Sequence, residues 1–249
     1  MTDKVVVITG GSRGIGRATA LAAAARGYRV VVGYVSNQAA AIEVVAAIEA
    51  KNGKAIAVKC DVGSEQDILA LFKAADSFGT LGALVNNAGI VGKSGVRVDE
   101  MSAERIQQMM AVNVTGSILC AREAVKRMST KHGGQGGVIV NLSSVAAKLG
   151  APNTYVDYAA SKGAIDSFTI GLGYEVAAEG IRVAGIRPGL IDTDIHAAGG
   201  EPDRAHRLAH LVPMKRVGTA DEIANAIVWL ISDEASYVTS AILDVSGGR

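Results

Sequence analysis

The chain has 249 residues, of which 49% are hydrophobic and 20% charged, and 25 Lys+Arg balance 24 Asp+Glu. That composition is globular, and the even charge argues against a nucleic-acid or anionic-membrane partner. Two cysteines, Cys60 and Cys120, without a CxxC pair argue against a disulfide scaffold and point to a reduced, cytoplasmic chain. The opening MTDKVVVITGG carries too short an apolar stretch for a signal peptide, and no run approaches the ~18 apolar residues of a membrane span.

In chain order, short β-branched runs predict strands at 4–9, 29–35, 54–60, 82–87, 137–143, 181–188 and 241–246. Helical patterns lie between them at 14–26, 38–51, 64–78, 102–130, 157–179 and 219–232. The strands are almost wholly apolar rather than alternating, so both sheet faces must be covered. Strands alternating with helices require crossover connections and a parallel sheet. The expectation is one doubly wound α/β domain of the Rossmann type over residues 1–249. Its seven-stranded, mostly parallel sheet would carry helices on both faces. Substrate contacts would come from loops at the strand C-ends.

The string TGGSRGIG (9–16) follows the first strand and opens the first helix. Gly10 permits a tight turn, Gly14 lets backbone approach a pyrophosphate on the helix N-terminus, and Gly16 permits close helix–strand packing. With Ser12, Arg13 and Ile15, these residues form a candidate dinucleotide site. The acid expected ~20 residues on, which would bond an adenosine ribose hydroxyl, is missing. No Asp or Glu occurs from Lys4 to Ile42, and the second strand ends in Tyr34-Val35-Ser36-Asn37. Arg13, with Arg17 close by, can accept a 2′-phosphate that an acid would repel. NADP(H) is therefore the preferred cofactor and NAD(H) the alternative.

Residues 154–166, TYVDYAASKGAID, place Tyr158 four residues before Lys162, on one helical face. Tyr155 is seven before Lys162, which favours Tyr158 as the lysine's partner. A tyrosine titrates near 10, and a nearby ammonium favours its phenolate, so the pair suits acid/base work. Ser144 follows the fifth strand, where its hydroxyl can hold a substrate oxygen; Ser143 better fits a turn cap. Asn113 lies among apolar residues in a helical pattern and needs a specific partner.

These residues resemble a known family. TGGSRGIG, Asp61-Val62, NNAG (86–89), Asn113, Ser144, Tyr158-x-x-x-Lys162 and RPG (187–189) occur in the order seen in short-chain dehydrogenase/reductases. The likeness covers nearly the whole chain and extends to 3-oxoacyl-carrier-protein reductases and glucose 1-dehydrogenase-like members. The stretches 87–113 and 144–158 run slightly longer than in the former. The resemblance implies that Tyr158 is the acid/base and Ser144 holds the carbonyl. Lys162 would tune Tyr158 and bond the nicotinamide ribose. Asn113 would distort its helix and reach Lys162 through water. It also implies that Asp61 and Val62 flank the adenine and that Asn87, Ala88 and Gly89 adjoin the ribose. Pro188, Gly189, Ile191 and Thr193 would hold the carboxamide.

Residues 192–216 read as a substrate lid, with His196 and Tyr155 as substrate contacts. His206 and His210 are four apart in a helical pattern but lack an HExxH arrangement, so they read as a solvated face and no metal is expected. Trp229 reads as a core or subunit-contact aromatic. The expected activity is interconversion of a small ketone or aldehyde with its alcohol. A non-enzymatic NADP(H)-sensing protein on the same fold is the alternative, against which the intact Tyr–Lys pair argues. The resemblance implies a homotetramer, without nucleic-acid or membrane partners.

Overall fold

The computed structural model describes residues 4–194, 197 and 199–249. Seven strands form one sheet in the order β3-β2-β1-β4-β5-β6-β7. They are β1 (Lys4–Ile8), β2 (Arg29–Tyr34), β3 (Lys54–Lys59), β4 (Thr80–Asn86), β5 (Gly137–Leu142), β6 (Ile181–Pro188) and β7 (Ala241–Val245). Every pairing is parallel.

The apolar strands bury both faces. Along β1, Val6 and Ile8 enter one core, while Val5 and Val7 enter the other. The first core is closed by α1 (Gly14–Ala25), α2 (Gln38–Glu49) and a late helix spanning Ala220–Ile231. Trp229 packs against this core. The second is closed by α3 (Glu65–Phe78) and by the helices on either side of β5. Alternation of side-chain direction along a strand delivers successive valines to opposite cores.

The helical pattern at 102–130 is not one regular helix. It divides into α4 (Ala103–Met110), a π-type turn at Ala111–Thr115 and α5 (Gly116–Met128). Beyond β5 come a single-turn α6 (Ala146–Leu149) and the long α7 (Val156–Val176). Among the elements described in the 192–216 segment are α8 (Arg204–Arg207) and a 3-10 turn at Ala209–Leu211. His206 and His210 thus fall on separate short turns, correcting the shared helical pattern read from their spacing. His206 faces Asp192 at 3.5 Å, and His210 Nδ1 lies 3.0 Å from the Arg207 carbonyl. The last helix, α9 (Ala220–Ile231), begins with a capping box between Thr219 and Glu222.

Candidate functional site

The strand order reverses direction at β1 and β4, and a cleft of about 770 Å³ opens at the strand C-ends there. At one end lies the glycine-rich turn. Gly10 and Gly14 take φ of +63° and +52°, a region that favours glycine. A Cβ on Gly10 would stand 3.1 Å from the Ala88 Cα, and one on Gly16 would strike the Gly10 carbonyl oxygen. Gly10, Ser12, Arg13, Gly14 and Ile15 line the cleft; Gly16 lies behind it as a packing residue. α1 starts with no side-chain cap and no acid in its first turn, so its N–H groups and positive dipole end face the cleft. That donor set suits a pyrophosphate.

Tyr34, Ser36, Asn37, Asp61 and Val62 line the same end. Asn37 also caps α2, accepting from the Ala40 N–H at 3.0 Å. Asp61 Oδ1 accepts from the Gly63 N–H at 2.9 Å, while Ser64 caps α3. Asn87, Ala88 and Gly89 reach the cleft wall. The Asn87 amide donates to the Thr9 and Gly10 carbonyls at 2.8 and 2.9 Å, tying β4 to the glycine turn. Thr9, which sequence reasoning passed over, accepts from the Asn87 and Ala88 N–H groups. Arg17 is exposed on α1 and does not line the cleft.

The other end gathers Ser144, Tyr155, Tyr158 and Lys162. Tyr158 and Lys162 share a face of α7, with Nζ 5.7 Å from the ring centroid. Nζ donates to the Leu142 carbonyl at 2.6 Å. Tyr155 directly precedes the helix, and its ring meets Tyr158 edge-on at 5.8 Å. The Ser144 hydroxyl acts on that of Tyr158, favouring its ionised form. The turn-capping contact expected of Ser143 falls to Ser144. Ser144 Oγ accepts from the Ala146 N–H at 3.1 Å, whereas Ser143 is buried and donates to the Lys162 carbonyl.

The electrostatics also differ from the expectation that Lys162 would hold Tyr158 down. Burial pushes the Tyr158 hydroxyl up to about 12, against the lowering effect of the Ser144 hydroxyl. Burial likewise pulls Lys162 down to about 8, with Asp166 opposing. Desolvation disfavours both charged forms and outweighs their neighbours.

Asn113 occupies the π-type turn, fully buried and outside the cleft lining. It accepts from the Ile90 N–H at 2.8 Å and donates to the Ile90 carbonyl and Ser161 Oγ, each at 3.0 Å. Its partners are therefore the loop after β4 and α7. A Cβ on Gly89 would lie 3.4 Å from Asn113 Oδ1 and 3.6 Å from Lys162 Nζ, so the three meet behind the wall. Asn86 donates to Asn141 at 2.9 Å, and Asn141 donates to Thr169, further fixing α7 against the sheet. A partly buried ion pair, missed in the sequence, clamps the same helix. Arg105 grips Asp157 at 2.8 and 3.1 Å and donates to the Lys93 carbonyl.

Pro188, Gly189, Ile191 and Thr193 line the cleft after β6. Gly189 abuts Ser246, where a Cβ would stand 2.7 Å from its Cα. His196 lies outside the described residues. The lining also includes Gln108, Thr154, Arg204 and Arg249, none of which the sequence reading singled out as a site residue.

Residues 10–249 match the family described as enoyl-(acyl carrier protein) reductase. The chain belongs to the short-chain dehydrogenase/reductase family. This short-chain dehydrogenase/reductase is an oxidoreductase acting on CH–OH donors, of a family that uses nicotinamide cofactors. It is 54% identical over 246 residues to the uncharacterized oxidoreductase YgfF of Escherichia coli K12, covering 98% of this chain and 99% of that one. It is 40% identical to glucose 1-dehydrogenase 2 of Bacillus subtilis, covering 100% and 95%. Among solved structures, a short chain dehydrogenase from Burkholderia cenocepacia J2315 in complex with NADP superposes with a TM-score of 0.90 at 32% identity, covering 99% of this chain and 98% of that one. This chain's sheet of seven parallel strands with its covering helices matches the fold of solved structures of the family.

Proposed function

We propose that this oxidoreductase prefers NADP(H) and interconverts a small ketone or aldehyde with its alcohol. The observation that carries the reading is the meeting of Ser144, Tyr158 and Lys162 at one end of a cleft whose other end is an uncapped, glycine-rich helix start. When bound there, the nicotinamide supplies or accepts the hydride. Tyr158, held protonated by burial, gives its proton to the carbonyl oxygen in reduction. Ser144 donates a hydrogen bond to that same oxygen and holds it against Tyr158. Lys162 bonds the nicotinamide ribose and, when charged, eases the return of a proton to Tyr158. Asn113 positions Ser161 and the Ile90 loop around Lys162.

The cofactor preference rests on the acid-free stretch 4–42 and on Arg13 beside the turn; the NADP-bound relative is consistent with it. Residues 192–216 act as the lid of a single catalytic domain. A homotetramer is supported by exposed apolar residues Ile118 on α5, Ile170 and Tyr174 on α7, and Leu243 on β7. Two buried free thiols suit a cytoplasmic location. No helix among the described residues is long and apolar enough to cross a membrane.

The test is purified protein against aldehydes, ketones, sugars and β-ketoacyl thioesters, following NADPH and NADH absorbance. Turnover with NADPH is expected. A protein that binds NADPH yet reduces no carbonyl would favour the sensing alternative, and tighter binding of NADH would overturn the preference.

A further inference from the structure

The substrate end of the cleft carries two guanidinium groups that the reading above does not use. Arg204, on α8, lies 5.1 Å from the Tyr155 ring centroid. Arg249 borders the same cleft from the chain's last turn. Both are half-buried. The Arg204, Glu201 and Arg249 charges all act on the Tyr155 hydroxyl, Arg204 most strongly, and both arginines line the cleft beside it.

The fold takes trouble to hold them there. Arg249 follows two glycines, Gly247 and Gly248, with φ of +66° and +92°. Ser246 Oγ donates to a main-chain oxygen of Arg249 at 3.0 Å, and Met214 N–H donates to the Gly247 carbonyl at 3.2 Å. A Cβ on Gly247 would lie 2.7 Å from Val212, so this turn is locked onto the same segment that carries Arg204.

Neither arginine forms an ion pair with a carboxylate among the described residues. Glu201 feels Arg204, but its carboxylate is ion-paired with Arg207. The acidic side chains lining the cleft are Asp61, past β3, and the exposed Asp194. Burial and the neighbouring Arg204 charge both push Arg249 below its ordinary range, as expected where two cations share a partly desolvated space. An anion between them would relieve that repulsion and could take bidentate hydrogen bonds from each.

We infer that Arg204 and Arg249 form an anion subsite, which fits a small carbonyl compound bearing a carboxylate or phosphate a few bonds from the carbon reduced at Tyr158. Short spacing follows from the geometry: Tyr155 touches both Tyr158, at 5.8 Å, and Arg204, at 5.1 Å. The inference rests on Tyr158 marking the reacting carbon, as proposed above, and makes both arginines specificity-determining residues.

Two matched substrate pairs test it: 4-oxopentanoate against its methyl ester, and dihydroxyacetone phosphate against dihydroxyacetone, each with NADPH. In the wild type the anionic member of at least one pair should have the higher kcat/KM by about 10- to 100-fold, the size of a charge-assisted contact. Arg204→Met and Arg249→Met should collapse that ratio toward one, mainly through KM, while Arg249→Lys should keep part of it. Added salt should raise KM for the anion more than for its neutral partner. A wild-type ratio of one or less in both pairs overturns the subsite, as does a ratio that both Met variants leave unchanged. Binding of 4-oxopentanoate and of inorganic phosphate to the NADP⁺-loaded protein is measured alongside. If anions bind, and bind more weakly to the variants, but nothing is reduced, the subsite stands and the oxidoreductase chemistry proposed at Tyr158 fails. If the neutral ketones are reduced and no anion binds, the chemistry stands and the subsite falls.

Discussion

Lys162 offers the sharpest physical test of the site. Its ammonium is buried, 5% exposed, and its titration is pulled down to about 8 by desolvation. In the unfolded chain a lysine titrates near ~10.4. Between these values the unfolded state binds more protons than the native one, so stability rises with pH across that window. The gain is complete above the unfolded value and is lost as pH falls through about 8. A shift of this size corresponds to about 3 kcal/mol, at 1.36 kcal/mol per unit. Lys162→Met removes the titration and keeps an unbranched chain in the space. The assay is urea unfolding of wild type and Lys162→Met at fixed protein concentration from pH 7 to 10.5. Subtracting the two curves cancels every other titrating group. The wild type should gain about 3 kcal/mol on the variant across that range. A flat difference would refute the claim that the ammonium is held against its desolvation cost. At saturating NADPH the variant should also remain slow, because raising cofactor concentration does not restore the proton path.

Tyr158→Phe should lower turnover by about 10²–10⁴-fold while NADPH binding, read by fluorescence, persists; Tyr155→Phe should change KM by about tenfold at most. If the two phenotypes are exchanged, the catalytic assignment falls. An acid at the end of β2 should swing preference toward NADH. Tyr34 is 8% exposed and belongs to the core, so the clean substitution is at the exposed cleft residue Ser36. Ser36→Asp should weaken NADPH more than NADH in paired titrations, and equal weakening would contradict a 2′-phosphate site there. Gly16→Ala places a methyl against the Gly10 carbonyl and 2.6 Å from Asn87 Nδ2. It should cost about 1–3 kcal/mol in urea unfolding and weaken NADPH, with an unchanged Kd counting against the packing role.

Much of the architecture was legible because it depends on local periodicity. Runs such as Lys4–Ile8 and Arg29–Tyr34 are apolar at every position, which only a sheet covered on both faces can satisfy. The glycine turn was legible for the same reason: the positive φ of Gly10 and Gly14 is a property of a few adjacent residues. The four-residue spacing of Tyr158 and Lys162 placed both on one face of α7.

What the sequence by itself determined was the element order, the covered parallel sheet and the acid-free, glycine-rich turn. Its residues encode these within a few positions of one another. Tertiary structure alone decided the rest. It supplied the partners at the Ala111–Thr115 turn, whose distortion the family resemblance implied: Asn113 satisfies its amide on Ile90 and Ser161. It set the Tyr155 ring edge-on against that of Tyr158. It brought Arg204 and Arg249 to one cleft wall, and it set Tyr158 near 12 and Lys162 near 8 by excluding water from both. Desolvation and long-range charge depend on how densely distant segments pack around a group, and no window of neighbouring residues contains that information.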